Sequence, residues 1–445
     1  MVLTYIQELF VSIYYSYFEE FVFAHRISNV FYNFFLFTVV FFSAFFYFLL
    51  ILRIFLRDKK NNYKSKNIKW PSVTIQIPTF NEPVALRCAE YCLRFDYPKN
   101  KFNIIIGDDS NKPEVSRVIK DFVKKHKGKI KITNRGSNVG FKAGNLNHML
   151  KFSKGEIIVI FDSDFTPPKK FLKRIVRPFI EDKKVACVQA KWGYLNQNQN
   201  IISKFASSIL MVYHNIIAPI NDRLGVSLLF GSGQAVRRDL ILKLGGWQEG
   251  SLTEDVEFSV RLLNSGYKII YLDDVKVSGE LPFTFKGLKT QQRKWAYGNL
   301  RAFKDHAKSI LFGHFSFLQK LMLIFTMVGY VSSFFLVSFT ISGFLFFATE
   351  IPKSPDFIKI LFQTSRLILI TSGFLVAGLA VLWKERKLNT SPFVILSALT
   401  IGIPLSLSVS IGFFKGLLGK KMNWEIIKKK GNSSFNLSKN IKIDS

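Results

Sequence analysis

The sequence predicts an α/β domain with a mainly parallel sheet, combined with a transmembrane helical region. Three observations predict it. Between Ser72 and about Tyr271, short β-branched runs alternate with helical stretches, the pattern of strand–helix–strand units. Long uncharged apolar segments, of bilayer-spanning length, lie on both sides of that stretch. The 445 residues also carry 62 Lys+Arg against 31 Asp+Glu, a formal charge of +31, with 48% hydrophobic residues and 47 Phe. Basic and apolar together favour anionic lipid head groups and phosphorylated substrates as partners. No nucleic-acid-binding motif appears, so nucleic acid is not an expected partner.

The elements follow in order. Residues 1–28 lack a basic n-region, a short apolar core and a small-residue cleavage site, so a cleaved signal peptide is not expected. Val30–Leu52 carries no charge and is followed by Arg53, Arg57, Lys59, Lys60, Lys64, Lys66 and Lys69. The positive-inside rule puts that flank in the cytoplasm and the N-terminus outside. Strands are expected at Val73–Ile77, Phe102–Ile106, Ile130–Ile132, Glu156–Phe161 and Val185–Gln189. The helices expected between them are Pro83–Phe95, Pro113–Lys125, Ala143–Phe152 and Pro168–Glu181, their prolines near helix starts. A longer helical region covers Ile201–Arg223. Pro282–Lys308 is amphipathic and basic, a pattern that lies on a membrane surface.

Uncharged segments return at Leu321–Thr349, Leu367–Trp383 and Leu388–Phe414, and the first is long enough to fold as two short spans. The lysines of the tail argue for four C-terminal spans, with the tail inside and Lys384, Arg386 and Lys387 outside against the same rule. The expected organisation is therefore a segment 1–28, a transmembrane helix 29–56, a cytosolic α/β domain 70–280, interfacial helices 281–315, three or four transmembrane helices 316–418 and a basic cytosolic tail 419–445. Cys88, Cys92 and Cys187 form no framework and read as small buried hydrophobes in a reducing compartment.

Five motifs fall on the α/β domain. Ile77-Pro78-Thr79-Phe80-Asn81-Glu82 follows the first strand and Gly107-Asp108-Asp109-Ser110 the second. Gly140-Phe141-Lys142-Ala143-Gly144-Asn145 opens a helix, Asp162-Ser163-Asp164 follows a strand, and Thr253-Glu254-Asp255 opens another helix. Each has a bland alternative. Asn81-Glu82 can cap a helix, Asp108-Asp109-Ser110 and Asp162-Ser163-Asp164 can form turns, Lys142 can be a surface charge, and Thr253 can be an N-cap ahead of favourable acidic residues. In an open α/β sheet, however, the carboxyl edge is where ligands bind. So many carboxylates gathered there without a cation or a base role would repel one another. A nucleoside diphosphate held by a divalent cation meets that need, with a further carboxylate taking the proton of an incoming hydroxyl. Trp192, Trp247 and Trp295 lie near the motifs and suit stacking on sugar rings. The set fits glycosyl transfer from a nucleotide-sugar.

The chain resembles the membrane enzymes of glycosyltransferase family 2, and among them the cellulose synthase-like group in its CslA-type, mannan and glucomannan synthase-like branch. The resemblance rests on Val73–Glu82 (VTIQIPTFNE), Asp108–Ser110 (DDS), Gly140–Leu146 (GFKAGNL), Phe161–Phe165 (FDSDF), Val188–Trp192 (VQAKW), Phe230–Ala235 (FGSGQA), Gly245–Trp247 (GGW), Thr253–Asp255 (TED), Glu280–Phe285 (ELPFTF) and Gln291–Trp295 (QQRKW), with Gly416–Lys429 in the tail. It covers about residues 30 to 310 well and the C-terminal spans loosely. It implies a GT-A-type, Rossmann-like cytosolic domain and an inverting hexosyltransferase that uses Mg²⁺ or Mn²⁺.

The resemblance also implies roles. Asp255 would be the general base. Glu82, Asp108, Asp109, Lys142, Asp162 and Lys294 would bind the nucleotide-sugar, with Asp108 and Asp109 toward base and ribose. Asp162 and Asp164 would hold the metal. Phe230, Gly231, Ser232, Gly233, Glu254, Gln291 and Trp295 would form the acceptor side. One departure stands out: where the family's Q-x-x-R-W motif has Arg, this chain has Lys294, which keeps the charge and loses the bidentate fork. A cyclic-nucleotide-controlled module is not expected.

The expected activity is transfer of a hexose from GDP-mannose or UDP-glucose to a growing β-linked polysaccharide, processively and coupled to translocation. A non-processive glycolipid glycosyltransferase is the alternative, and a non-catalytic synthase subunit is a third reading. The expected partners are a nucleotide-sugar donor, a glycan or glycolipid acceptor and membrane lipid. The expected location is a multi-pass protein of a plasma or inner membrane.

Overall fold

The structure is a computed structural model and describes residues 18–56, 69–350, 356–422 and 427–431, together with residues 12 and 425. Seven strands form one sheet: β1 Val73–Thr79, β2 Phe102–Asp108, β3 Ile130–Thr133, β4 Ile157–Ile160, β5 Val185–Tyr194, β6 Gln234–Arg237 and β7 Lys268–Gly279, in the order β3-β2-β1-β4-β6-β5-β7. β6 runs antiparallel to β4 and β5, while the β1–β2, β1–β4, β2–β3 and β5–β7 pairs are parallel. The Ile104-Ile105-Ile106 run of β2 is buried throughout, because apolar clusters cover both faces: Ile104 and Ile106 face one, Ile105 the other. Cys88 and Cys92 pack in one of those clusters and Cys187 in the other, as free buried thiols.

All five expected strands are present, and two more were not read from the sequence. β6 is only four residues long and follows a turn-rich Gly-Ser-Gly. β7 continues past Tyr271 to Gly279, where Asp273-Asp274 interrupt its apolar pattern and the pairing to β5 shifts register. The expected helix Pro168–Glu181 is two short ones, Phe171–Ile175 and Arg177–Glu181. Pro178 lacks the N–H that would have continued the first.

The first apolar helix, Phe18–Phe55, is 38 residues long and starts earlier than its uncharged core suggested. Its end is seated on the α/β domain: Arg53 Nε donates to the Asn215 carbonyl at 3.0 Å and the guanidinium lies 3.7 Å from Asp273. Phe317–Val328 and Ser332–Ala348 continue one another through a single 3-10 turn, forming one long helical run rather than two spans. The run returns alongside the first helix, and Thr349 Oγ1 lies 3.3 Å from both His25 Nδ1 and Ser28 Oγ. Sharp bends fall elsewhere. Phe357–Thr371 meets Gly373–Lys384 at 70°, and the 388–400 stretch meets Gly402–Leu417 at 57°.

The corner 384–387 is tied to the α/β domain. Glu385 lies 3.6 Å from Lys191, and Lys387 Nζ donates to Gln197 Oε1 at 2.7 Å. This corrects the expectation that Lys384, Arg386 and Lys387 lie on the opposite side. At the far end of the 388–417 pair, Lys304 Nζ donates to the Leu417 carbonyl at 2.6 Å. Hydropathy reports that a segment is apolar, not whether it runs straight, and this one bends near Ile401. The helix Phe285–Phe312 is packed on two sides. Gly298 meets Thr253 of the α/β domain, and Gly412 of the last helix meets Arg293.

Candidate active site

After β1 the chain moves to β2 on one side, while β4 lies on the other. The loops leaving β1 and β4 therefore diverge, and a crevice opens at their carboxyl ends. A cavity of about 210 Å³ lies there. Glu82, Asp109, Lys142, Asp162, Asp164, Phe230, Gly231, Glu254, Asp255, Gln291, Lys294 and Trp295 line it. The sequence motifs thus converge on one site although they span more than two hundred residues.

Local chemistry sets the loops. Asn81 adopts a left-handed φ of 57°, and its Oδ1 accepts the N–H groups of Asn111 and Lys112, which stitches the β1 loop to the β2 loop. Asp162 donates its N–H to Ser232 Oγ at 2.9 Å. Gly231, at φ +82°, lets that loop pass close to the charges. A Cβ there would stand 3.1 Å from Lys142 Nζ and 3.2 Å from Asp255 Oδ2.

Lys142 is the hub. Its Nζ lies 2.6 Å from Asp162 Oδ1 and 3.4 Å from Glu254 Oε1, and donates to the Gly231 carbonyl at 2.7 Å. Burial pulls this amine down, but Asp162, Glu254 and Asp255 overcome that and hold it firmly protonated. Asp164 Oδ2 pairs with Lys429 Nζ at 3.0 Å and accepts the Glu280 N–H at 2.8 Å. Its Oδ1 is buried without a hydrogen-bond partner among the described residues. Ser163 Oγ donates to Glu82, whose carboxyl is pushed up to about 7, chiefly by burial. Burial, then the neighbouring Glu254, raises Asp255 well above the ordinary carboxylate range. Burial, then Lys429, lowers Lys294 to about 8.

Some expected residues support the wall instead of lining it. Asp108 is fully buried behind the cavity, its Oδ1 accepting the Ser110 N–H at 3.0 Å. Ser232 is buried too, with its carbonyl accepting from Trp192 Nε1 and Gln189 Nε2, both at 2.9 Å. Gly233 makes room for Val277, whose Cγ1 would be 2.5 Å from an added Cβ. Trp247 packs on Phe258 in the core, with ring centroids 4.7 Å apart, and is not available to a sugar. Trp192 and Trp295 do line the cavity.

Four partners were not read from the sequence. Arg135 holds Asp109 through two bonds, Nε to Oδ1 at 3.1 Å and Nη2 to Oδ2 at 2.5 Å. Lys429 enters the site from the tail. Glu425 receives Arg293 at 2.9 Å, and its carbonyl lies 3.5 Å from Lys294 Nζ. Glu280 pairs with Arg87 at 2.8 Å and accepts the N–H groups of Lys430 and Gly431. The signal for Lys429 was present in the Gly416–Lys429 stretch, whose lysines read there as the positive-inside charge of a cytosolic tail.

Seven carboxylates and three lysines line the cavity, and Arg135 and Arg87 neutralise Asp109 and Glu280 from behind. The raised proton affinities of Glu82 and Asp255 relieve part of the remaining negative charge, and Asp164 Oδ1, without a hydrogen-bond partner among the described residues, adds an acceptor. No group of three or more His, Cys, Asp or Glu stands in ligating arrangement among the described residues. Two carboxylates fit a hard cation of the kind that takes its other ligands from water and phosphate oxygens.

Residues 157–382 match the family described as Glycosyl transferase family group 2. The chain belongs to that family. This member is 32% identical over 250 residues to a probable glucomannan 4-beta-mannosyltransferase 11 of Oryza sativa subsp. japonica, covering 54% of this chain and 44% of the relative. It is 29% identical over 279 residues to glucomannan 4-beta-mannosyltransferase 7 of Arabidopsis thaliana, covering 59% and 50%. The family 2 chain thus spans about half the length of the curated relatives it matches. Its fold is that of a mannosyltransferase from Pyrobaculum calidifontis, solved with GDP-Man and Mn²⁺. The TM-score is 0.62 at 17% identity, over 89% of this chain and all of the other. The α/β domain is GT-A-like, as the resemblance implied.

Proposed function

We propose that the protein is an inverting hexosyltransferase that moves a hexose from a nucleotide diphosphate sugar to a hydroxyl held at Asp255, extending a β-linked glycan. One observation carries this. A buried carboxylate, Asp255, lines the same cavity as the Asp-Ser-Asp pair, and the Lys142 ammonium that pairs with Asp162 also feels its charge. Asp255 is thus available to the acceptor while Asp162 and Asp164 are available to the donor. The mannosyltransferase names of the relatives support GDP-mannose first and UDP-glucose second.

The chain's own groups divide the work. Lys142, Lys429 and Lys294 receive the negative charge of the leaving diphosphate, in a site whose groups are already oriented. Asp255, its proton affinity raised by burial, takes the proton of the attacking hydroxyl. Trp192 and Trp295, with ring centroids 6.5 Å apart, flank the path of the sugar acceptor. Arg135 fixes Asp109 at the nucleoside end, and Asp108 stiffens the turn beneath it. Asp164, with Asp162, would hold Mg²⁺ or Mn²⁺, which supplies Lewis acidity toward the diphosphate when bound.

Membrane embedding follows from the apolar helices. The reading that fits the ties described above is three crossings, by the runs 18–55, 317–348 and 357–384, with 388–417 returning to the catalytic side. Arg53, Lys384–Lys387 and the tail lysines then share the cytosolic face, in line with the positive-inside rule. The membrane is proposed to be a plasma or inner membrane.

The test is a donor screen of the full chain with Mg²⁺ and with Mn²⁺, followed by linkage analysis. Consumption of GDP-mannose or UDP-glucose, lost in Asp255→Asn, is expected. Unchanged glycan output in a cell carrying only Asp255→Asn would favour a non-catalytic role. Product length decides processive extension: a ladder of short products at low enzyme would sink it.

A further inference from the structure

Lys191 is a buried lysine, 8% exposed, in the middle of β5. An ammonium taken out of water must be paired. Its Nζ donates to Asn215 Oδ1 at 2.6 Å and to Asp273 Oδ1 at 2.8 Å, with Glu385 Oε1 at 3.6 Å. The pairing of β5 to β7 jumps from Ala190–Leu272 to Lys191–Lys276, and the residues skipped on β7 begin with Asp273. That irregularity places the carboxylate beside the amine. Arg53 joins the same group from the first apolar helix, through the Asn215 carbonyl and Asp273. Two cations and two carboxylates thus meet where the first apolar helix, the corner 384–387 and the sheet come together.

The group lies directly behind the aromatic wall of the active site. Lys191 and Trp192 are successive residues of a strand, so their side chains take opposite faces. Trp192 lines the cavity. On the helical run 201–223, Asn215 follows His214 within a π-helical turn, Tyr213–Ile217. The His214 ring lies 5.6 Å from that of Trp192 and 5.1 Å from that of Phe230, and Tyr213 lies 5.2 Å from Phe230. A π-turn holds one residue more than an α-turn, and here side chains hold its carbonyls. The Tyr271 hydroxyl donates to the His214 carbonyl at 2.9 Å, and Arg53 to that of Asn215.

We infer that Lys191 is a positioning residue for the acceptor side of the site, holding Trp192 and the Tyr213–His214 turn in register with the membrane helices. The inference rests on the transfer proposed above and deepens it. Apolar packing at this junction would stabilise the fold as well or better than buried charge. Hydrogen-bonded charges instead fix direction, since each partner must lie along a particular donor–acceptor line. The donor side is held by other bonds: Lys142 to Asp162, Lys429 to Asp164 and Arg135 to Asp109. Lys191 therefore acts on the acceptor and leaves donor binding alone.

The experiment uses the full chain with Mn²⁺, the donor it turns over, and mannotetraose as acceptor. Lys191→Met keeps the length of the side chain and removes its charge. It should lower kcat/KM for mannotetraose by about ten- to a hundredfold, as expected when a wall that orients a reactant shifts by about 1 Å. The donor Kd from isothermal titration should stay within about twofold of wild type, which also reports that the variant is folded. Lys191→Arg, which retains charge and donors, should recover kcat/KM to within about threefold. Glu385→Gln, at the more exposed edge of the group, should give a smaller loss of about two- to fivefold, again with the donor Kd unmoved. Acceptor kinetics unchanged in Lys191→Met would overturn the inference, as would a loss of donor affinity equal to the loss of transfer. Should that variant not fold, Glu385→Gln decides, and unchanged acceptor kinetics there would overturn it. A wild-type chain that transfers no hexose from any donor removes the transfer reading and this assignment with it, whereas transfer that survives Lys191→Met removes the assignment alone.

Discussion

Lys429 Nζ lies 3.0 Å from Asp164 Oδ2, so a residue near the end of the described chain completes a site begun at β4. Asp164 outweighs the burial that would otherwise lower this amine, and Glu82 adds to it, so Lys429 stays charged beside the proposed diphosphate. Lys429→Ala should raise the donor KM and lower kcat/KM by about ten- to a hundredfold, consistent with loss of a charge-assisted contact of about 1.5–3 kcal/mol. Initial rates against donor concentration check this, and an unchanged donor KM would remove Lys429 from the donor site.

Asp255→Asn should reduce kcat by about 10²–10⁴-fold while donor binding persists, because the amide cannot accept the proton. Isothermal titration with the donor separates the two effects. Loss of binding equal to loss of turnover would show that Asp255 acts on the donor.

The pH profile should be bell-shaped. Asp255 must be deprotonated to act, and its raised proton affinity moves the acid limb above the ordinary carboxylate range. Lys294 must be protonated to receive the diphosphate, and at about 8 it sets the alkaline limb. In Lys294→Arg, which stays charged at any accessible pH, the alkaline limb of kcat/KM should move upward by a unit or more. An unmoved limb would assign it to another group.

Asp164→Asn should abolish restoration of activity by Mn²⁺ or Mg²⁺ after chelation. It should also remove the rise in melting temperature that the wild type shows with ion plus nucleoside diphosphate. Equal thermal shifts in both proteins would exclude Asp164 as a ligand.

Gly231→Ala should destabilise the protein by about 1–3 kcal/mol and lower activity by more than that alone explains. The added Cβ meets Lys142 Nζ and Asp255 Oδ2, and φ is +82°. Chemical denaturation alongside kinetics checks both parts.

The alternation of strands and helices and the positions of the acidic loops were legible because they are local. A β-branched run ending in Asp-Ser-Asp, or a Thr-Glu-Asp opening a helix, announces itself within ten residues, and the sheet edge does the gathering. β6 and β7 escaped because they are held by neighbours rather than by their own pattern: one is four residues long and the other is broken by two aspartates. Asp108, Ser232 and Trp247 carried the right residue types, but burial made them supports, and burial is a property of the whole fold.

The sequence alone determined the family, the GT-A-like sheet and the set of carboxylates at its edge, since each depends on short-range pattern. Tertiary structure decided what those charges meet. Arg135 reached Asp109, Lys429 reached Asp164, and the corner 384–387 stayed with the α/β domain. Those contacts join residues distant in the chain, and the energy of a buried charge depends on what surrounds it, which no local run of residues specifies.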